Sequence, residues 1–205
     1  MTYARNVGLS ASEDRIEKLI AERLQPGADK EQIDARIWDL FGEHWAVMFT
    51  DLAGFSSGVA SFGIIHFLQV IYESQRLLIP CIDGHDGILL KVEGDSMLVI
   101  FRNVDKAIDC ARAMQRTCDD YSSSRPETEQ IHLCVGLGCG RVLRIGDRDV
   151  FGSEVNAAAK LGEDIARARE ILVTDAVRDA AGPDYRFEPI AKVPPGAKAA
   201  FRLLA

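Results

Sequence analysis

The 205-residue chain has no apolar run approaching the roughly 18–20 residues that a helix needs to cross a bilayer. Its first residues, Met1 to Ser10, contain no apolar core of the signal-peptide kind. The expectation is a cytoplasmic protein with no membrane partner. Cysteine is sparse and poorly spaced for structural work. Cys81, Cys110, Cys118, Cys134 and Cys139 are odd in number and include no CxxC pair, which argues against a disulfide framework or a zinc site. They read as small core-filling residues. A basic excess is also lacking. The net charge of −7 argues against nucleic acid as a partner, because a phosphate backbone requires a cationic face. It does not exclude a single nucleotide, whose phosphates need only a few cations and can be neutralised by metal ions.

With 47% hydrophobic and 27% charged residues, the composition is that of a globular domain with a substantial core. Residues 1–43 read as a helical N-terminal extension. Ile16, Leu19, Ile20 and Leu24 fall at helical spacing, Pro26-Gly27 interrupts them, and Ile33, Ile37, Leu40 and Phe41 resume the period. Residues 44–205 read as the main domain. Ala46 to Thr50 has the pattern of a buried strand, and a long helix is expected over 58–78, ending near Pro80. The segments 87–92 and 96–101 flank Glu93-Gly94-Asp95 as a hairpin. A helix over 104–121 follows, then a second hairpin turning at Cys139-Gly140, a helix from Ser153 to about Arg169, and short terminal elements. The order β-α-β-β-α-β points to an α+β fold. It is the ferredoxin-like arrangement of a mostly antiparallel sheet with helices on one face.

Three segments carry chemistry. In Phe49-Thr50-Asp51-Leu52-Ala53-Gly54-Phe55-Ser56, a carboxylate follows a buried strand and precedes a glycine turn. Such a loop can offer amides to a phosphate while Asp51 faces the same space, although an Asp there can equally cap a helix. In Lys91-Val92-Glu93-Gly94-Asp95, Asp95 falls at a hairpin tip, where Gly-Asp is also an ordinary turn pair. If the hairpin lies beside the first strand, Asp51 and Asp95 converge, and two such carboxylates suit Mg2+ or Mn2+ over a triphosphate. In the third segment, Asp149 to Lys160, Asn156 and Lys160 are four apart and share a helix face, which can be a solvated face or a ribose and phosphate contact. His44, His66, His85 and His132 lie outside all three and read as structural, His66 on a helix and His132 on a strand.

Together, FTDLAGFS, KVEGDSMLVIF and DVFGSEVNAAAKLGE resemble, in this order, the class III adenylate and guanylate cyclases, over roughly 45–204. The resemblance implies that Asp51, Asp95 and the Leu52 backbone bind two Mg2+ or Mn2+ ions. Gly54, Phe55 and Ser56 would face the triphosphate. Lys91 and Asp149 would specify the base, as the Lys–Asp pair of adenylate cyclases does. A Lys donor serves adenine N1 and an Asp acceptor serves the N6 amino group. Asn156 would orient the ribose, and Lys160 stands where the family carries a transition-state arginine, keeping the charge without the bidentate fork. Lys192 is the candidate for a further phosphate contact. In the family the site lies between two catalytic domains, and this chain carries both residue sets, so a homodimer acting on ATP is expected. The alternatives are a cyclase using GTP or a pyrimidine triphosphate, a non-catalytic nucleotide-binding or dimerisation module, and a cyclic-dinucleotide synthase. The hairpin reads Glu93-Gly94-Asp95-Ser96, which does not suit the last of these.

Overall fold

The computed structural model describes residues 10–54 and 63–204. Two helices open it, α1 (Ala11–Arg23) and α2 (Lys30–Phe41). Ser10 caps α1 through a reciprocal capping box with Glu13, and Asp29 caps α2. Their buried faces, Leu19, Ile33, Ile37 and Phe41, meet each other and pack on Leu143 and Ile145 of the main sheet.

The main body runs β1 (Gly42–Leu52), α3 (Ile64–Gly84), β2 (Ile88–Glu93), β3 (Ser96–Phe101), α4 (Val104–Ser122), β4 (Leu133–Ile145) and β5 (Asp149–Phe151). It continues with α5 (Ser153–Ala159), a π-helical turn (Lys160–Ile165), β6 (Ile171–Thr174), α6 (Asp175–Ala180), β7 (Phe187–Pro189) and β8 (Ala200–Leu203). The sheet order is β2-β3-β1-β4-β6-β8-β7, with β5 paired to β4. The β4–β6 pair is parallel and all the others are antiparallel. This is the α+β fold expected from the sequence, with a mixed, mostly antiparallel sheet and helices at the N-terminus.

Alternation along β1 divides the interior. Ala46 and Met48 face α3 and α4, where Leu78, Ile82, Ile108 and Met114 are almost wholly buried. Burying each such side chain contributes about 1.5–3 kcal/mol. Trp45 and Val47 face the other way, against Val142, Val150, Val155 and Ala158. Helices therefore cover both faces of the sheet, and the expectation of a single helical layer is corrected. The second layer is permitted by glycine. A Cβ on Gly136 would lie 2.1 Å from the Ala158 carbonyl oxygen, and one on Gly138 would lie 2.3 Å from that of Glu154. These two residues and Gly140 present a bare stripe of β4 on which the α5 backbone rests.

Three further expectations change. Cys139-Gly140 is no turn: β4 is one continuous strand, paired with β1 from Gly42↔Leu143 to Leu52↔Leu133. Its glycines serve helix approach, and the actual turn comes at Gly146, where φ is +62°. Pro80 does not end α3, which runs on to Gly84. The ring is exposed, as is Arg76, whose carbonyl loses its helical donor on the solvent side, while Leu78 and Ile82 hold the helix on the core. The helix begun at Ser153 leaves α geometry after Ala159, well before Arg169. His132 lies one residue before β4. Residues 58–62 of the expected third helix lie outside the described residues.

Candidate active site

The register Thr50↔Met97 between β1 and β3 sets Asp51 beside the β2–β3 turn that carries Asp95. Gly94 takes φ +59° in that turn, a conformation open to glycine at little cost. Ser96 Oγ donates to Asp51 Oδ1 at 3.3 Å. Burial is the main cause that pushes the Asp51 carboxyl up to about 6. The charge of Asp95 and a side-chain hydrogen bond with it push in the same direction, as does Glu163. Glu163 is itself raised, first by burial and then by Asp164, with Asp95 and Glu93 adding to it. The two predicted metal aspartates are thus brought together, with Glu163 looking on.

Two mutually repelling carboxylates, one half-buried, fit a divalent cation, which would relieve the repulsion. Among the described residues no three His, Cys, Asp or Glu side chains form a complete ligand set. Asp51 and Asp95 would therefore bind metal jointly with backbone oxygen, water and a substrate's phosphates, as Mg2+ does in triphosphate sites. Leu52, the last residue of β1, is buried and stands at this edge. Gly54 follows at φ +81°. Phe55 and Ser56 lie outside the described residues.

Lys91 on β2 and Asp149 at the start of β5 also meet. Lys91 Nζ lies 4.0 Å from Asp149 Oδ2 and 2.7 Å from Glu93 Oε1. Glu93 is the larger cause holding the Lys91 ammonium above its usual range, and Asp149 adds to it. The pair lines a cleft of about 100 Å³ with Glu93, Phe49, Leu98 and Glu163. Its lining combines apolar groups, the Phe49 ring among them, with charged ones, which suits a heterocycle with a hydrogen-bonding edge.

Asn156 and Lys160 project from an exposed face one helical turn apart. Lys160 Nζ is paired with Asp164 Oδ2 at 2.7 Å. Among the described residues neither bonds to the aspartate pair or to Lys91, nor does Lys192, which is exposed. The segment after Lys192 does reach α5: Gly196, at φ +101°, lies so close to Ser153 that a Cβ would sit 2.5 Å from its carbonyl oxygen.

Several neighbours went unnoticed in the sequence. Glu154 Oε2 accepts from Cys139 N at 3.0 Å and from Thr174 Oγ1 at 2.7 Å, tying α5 to β4 and β6. Ser96, Glu93 and Glu163 surround the acidic and basic pairs. The π-helical turn explains Glu163, because Gly162 packs against Phe49 O and Gly136 N. An extra residue in the turn is a common device for re-aiming a side chain at a site. The histidines are structural where their contacts are resolved: His85 Nδ1 pairs with Cys81 O at 2.7 Å, and His66 Nε2 with Thr128 O at 2.6 Å.

Comparison with known proteins identifies the family. The profile of the adenylate and guanylate cyclase catalytic domain matches residues 42–197, and the chain belongs to that family. It is therefore a class III nucleotide cyclase domain. A putative adenylate cyclase 3 of Rhizobium meliloti is 31% identical over 105 residues, 51% of this chain and 18% of that protein. The serine/threonine-protein kinase pkn2 of Myxococcus xanthus is 30% identical over 135 residues, 66% of this chain and 16% of the kinase. The chain thus spans less than a fifth of either relative. Among solved structures, an adenylate/guanylate cyclase/hydrolase from Silicibacter pomeroyi superposes with a TM-score of 0.67 at 25% identity, covering 80% of this chain and 98% of that one. The guanylyl cyclase Cya2 shares the fold, with a TM-score of 0.63 at 18% identity over 79% of this chain and 92% of that one. Among the described residues no helix is long and apolar enough to cross a membrane.

Proposed function

We propose that the domain converts ATP to 3′,5′-cyclic AMP and pyrophosphate at sites shared by two copies of the chain. The observation that carries this reading is the juxtaposition of two pairs. Asp51 and Asp95 converge at one end of β1, and Lys91 stands 4.0 Å from Asp149 in the adjoining cleft. Divalent cations bound by Asp51 and Asp95 would supply activation of the ribose 3′-oxygen and neutralisation of the phosphates. Lys91 donates to adenine N1 and Asp149 accepts from the N6 amino group. Asn156 fixes the ribose so that its 3′-oxygen stays in line with the α-phosphorus, an entropic contribution to rate. Lys160 stabilises charge that builds on the phosphate as pyrophosphate leaves, after exchanging Asp164 for that anion. Lys192 and the Gly54 turn complete the phosphate contacts.

Exposure of Asn156 and Lys160, neither of which bonds to Asp51 or Asp95 among the described residues, supports a site completed by the partner's carboxylate pair. The division into a helical segment at 1–43 and a catalytic unit at 44–205 belongs to the same proposal. The test is product identification from ATP, GTP, CTP and UTP with Mn2+, expecting cyclic AMP in excess. Mixing Asp51→Ala with Asn156→Ala chains should restore one site per heterodimer. No recovery from two folded, dimeric parents would remove the shared-site reading. One observation favours a second reading, a nucleotide-binding module without turnover: the cation at the family's arginine position is already engaged by Asp164. Tight binding of a non-cyclisable ATP analogue with no product from any triphosphate would select it.

A further inference from the structure

The resemblance assigns no role to Glu93, yet this residue lines the base cleft and contacts the Lys91 ammonium more closely than Asp149 does. Lys91 Nζ contacts Glu93 Oε1 at 2.7 Å and Asp149 Oδ2 at 4.0 Å. The ammonium is therefore the shared partner of two carboxylates, and all three side chains line the same cleft. Toward a ligand the edge reads acceptor, donor, acceptor, in the order Asp149, Lys91, Glu93. We propose that Glu93 is a specificity-determining residue that reads the atom at C2 of a purine, or at O2 of a pyrimidine, beside the position read by Lys91. The proposal rests on the reading of Lys91 and Asp149 as the base-recognition pair.

The hydrogen-bonding edges of the bases give it content. Adenine presents a donor at N6, an acceptor at N1 and a C–H at C2, so it satisfies Asp149 and Lys91 and leaves Glu93 facing a weakly positive hydrogen. Cytosine presents donor, acceptor, acceptor. It matches Asp149 and Lys91 equally well, and its O2 then opposes the Glu93 carboxylate. Guanine presents acceptor, donor, donor and meets the edge correctly at one position of three. A purine with amino groups at both C6 and C2 presents donor, acceptor, donor and meets all three. Asp149 and Lys91 alone do not separate adenine from cytosine by hydrogen bonding, and Glu93 supplies the missing discrimination. A site rejects an analogue most strongly where an acceptor is forced against an acceptor, because both are left unpaired.

The experiment measures kcat/KM for ATP, 2-amino-ATP, ITP (the hypoxanthine nucleotide) and CTP, and displacement of a fluorescent ATP analogue by the same four nucleotides, so that the result does not depend on turnover. In the wild type, 2-amino-ATP should exceed ATP by about 3- to 10-fold, the span of one partly exposed hydrogen bond to a charge. Glu93→Ala should bring that ratio to about one and raise CTP relative to ATP by a similar factor. Glu93→Gln retains an acceptor oxygen and should keep part of the preference. An unchanged 2-amino-ATP to ATP ratio in Glu93→Ala, while Lys91→Ala and Asp149→Ala abolish the preference for adenine over hypoxanthine, would overturn the role of Glu93 and leave the base pair standing. If Lys91→Ala and Asp149→Ala also leave base preference intact, the underlying pair assignment fails.

Discussion

Gly138→Ala tests how the second helical layer controls the site. A Cβ at Gly138 would fall 2.3 Å from the Glu154 carbonyl oxygen and 3.2 Å from Glu154 Oε2. Restoring an ordinary contact of about 3.4 Å requires α5 to lift by about 1 Å from β4, because the nearest obstacle is backbone and cannot rotate away. Overpacking of this kind costs about 1–3 kcal/mol. In a domain of this size that is a fall in Tm of roughly 2–12 °C. The same movement carries Asn156 and Lys160 off their positions, and a misplacement of about 1 Å can lower kcat on the order of 10²-fold. Gly84→Ala is the control, since a Cβ there meets nothing within 4 Å. It closes α3 without a strained φ and should leave Tm unchanged or raised, as glycine costs a helix up to about 1 kcal/mol against alanine. Thermal unfolding and steady-state turnover on both variants decide the matter. If Gly138→Ala matches the wild type in Tm and kcat, the claim that the glycine stripe sets the height of α5 is wrong.

Lys160→Arg should raise kcat by roughly 10-fold or more, because a planar guanidinium grips a phosphate oxygen pair that an ammonium meets at one point; an equal or lower kcat would refute the assigned role. Thr174→Val removes the 2.7 Å donor to Glu154 Oε2, which keeps Cys139 N, and also removes the hydroxyl that caps α6 by accepting from Val177 N. A loss of about 1–2 kcal/mol in denaturant unfolding is expected. The thiols should react in sequence. Burial pushes Cys110 and Cys118 up to about 12, and Cys134 and Cys139 up to about 11, whereas Cys81 is partly exposed. A disulfide reagent at pH 8 should titrate one thiol quickly and four only on unfolding, and Cys81→Ser should abolish the fast phase.

Most of the architecture was legible because buried strands and amphipathic helices leave periodic marks. Ala46 to Thr50 and Met97 to Phe101 are apolar on both sides, which identifies inner strands, and the Glu93-Gly94-Asp95 signal gave the hairpin that carries a site carboxylate. At Cys139-Gly140 and at Pro80 the structure departs from the local pattern because the reason for the glycine or proline is tertiary. Gly140 appears in the sequence as a turn residue, yet it accommodates Glu154, a contact fourteen residues away that local pattern does not encode. Pro80 looked terminal because the sequence does not say that its lost hydrogen bond falls on the solvent side. Of the site, Asp51, Asp95, Lys91 and Asp149 were readable by position, and the structure brings them together in pairs. Glu93, Ser96, Glu154 and Glu163 were not, since each gains its meaning from a strand register or a π-helical turn.

The position of β1 between β3 and β4 also bears on synthesis. Its neighbour toward the N-terminal half, β3, follows within one helix and one hairpin, so the two carboxylates can approach each other as soon as Phe101 has left the ribosome. The opposite flank of β1 stays unpaired until Leu133 to Ile145 emerges, and α5 has no bed before then. During translation the strand pair that carries Asp51 and Asp95 can thus form early, on a sheet whose open edge must be kept from foreign strands, and the α5 face that carries Asn156 can only arrive after that edge is closed.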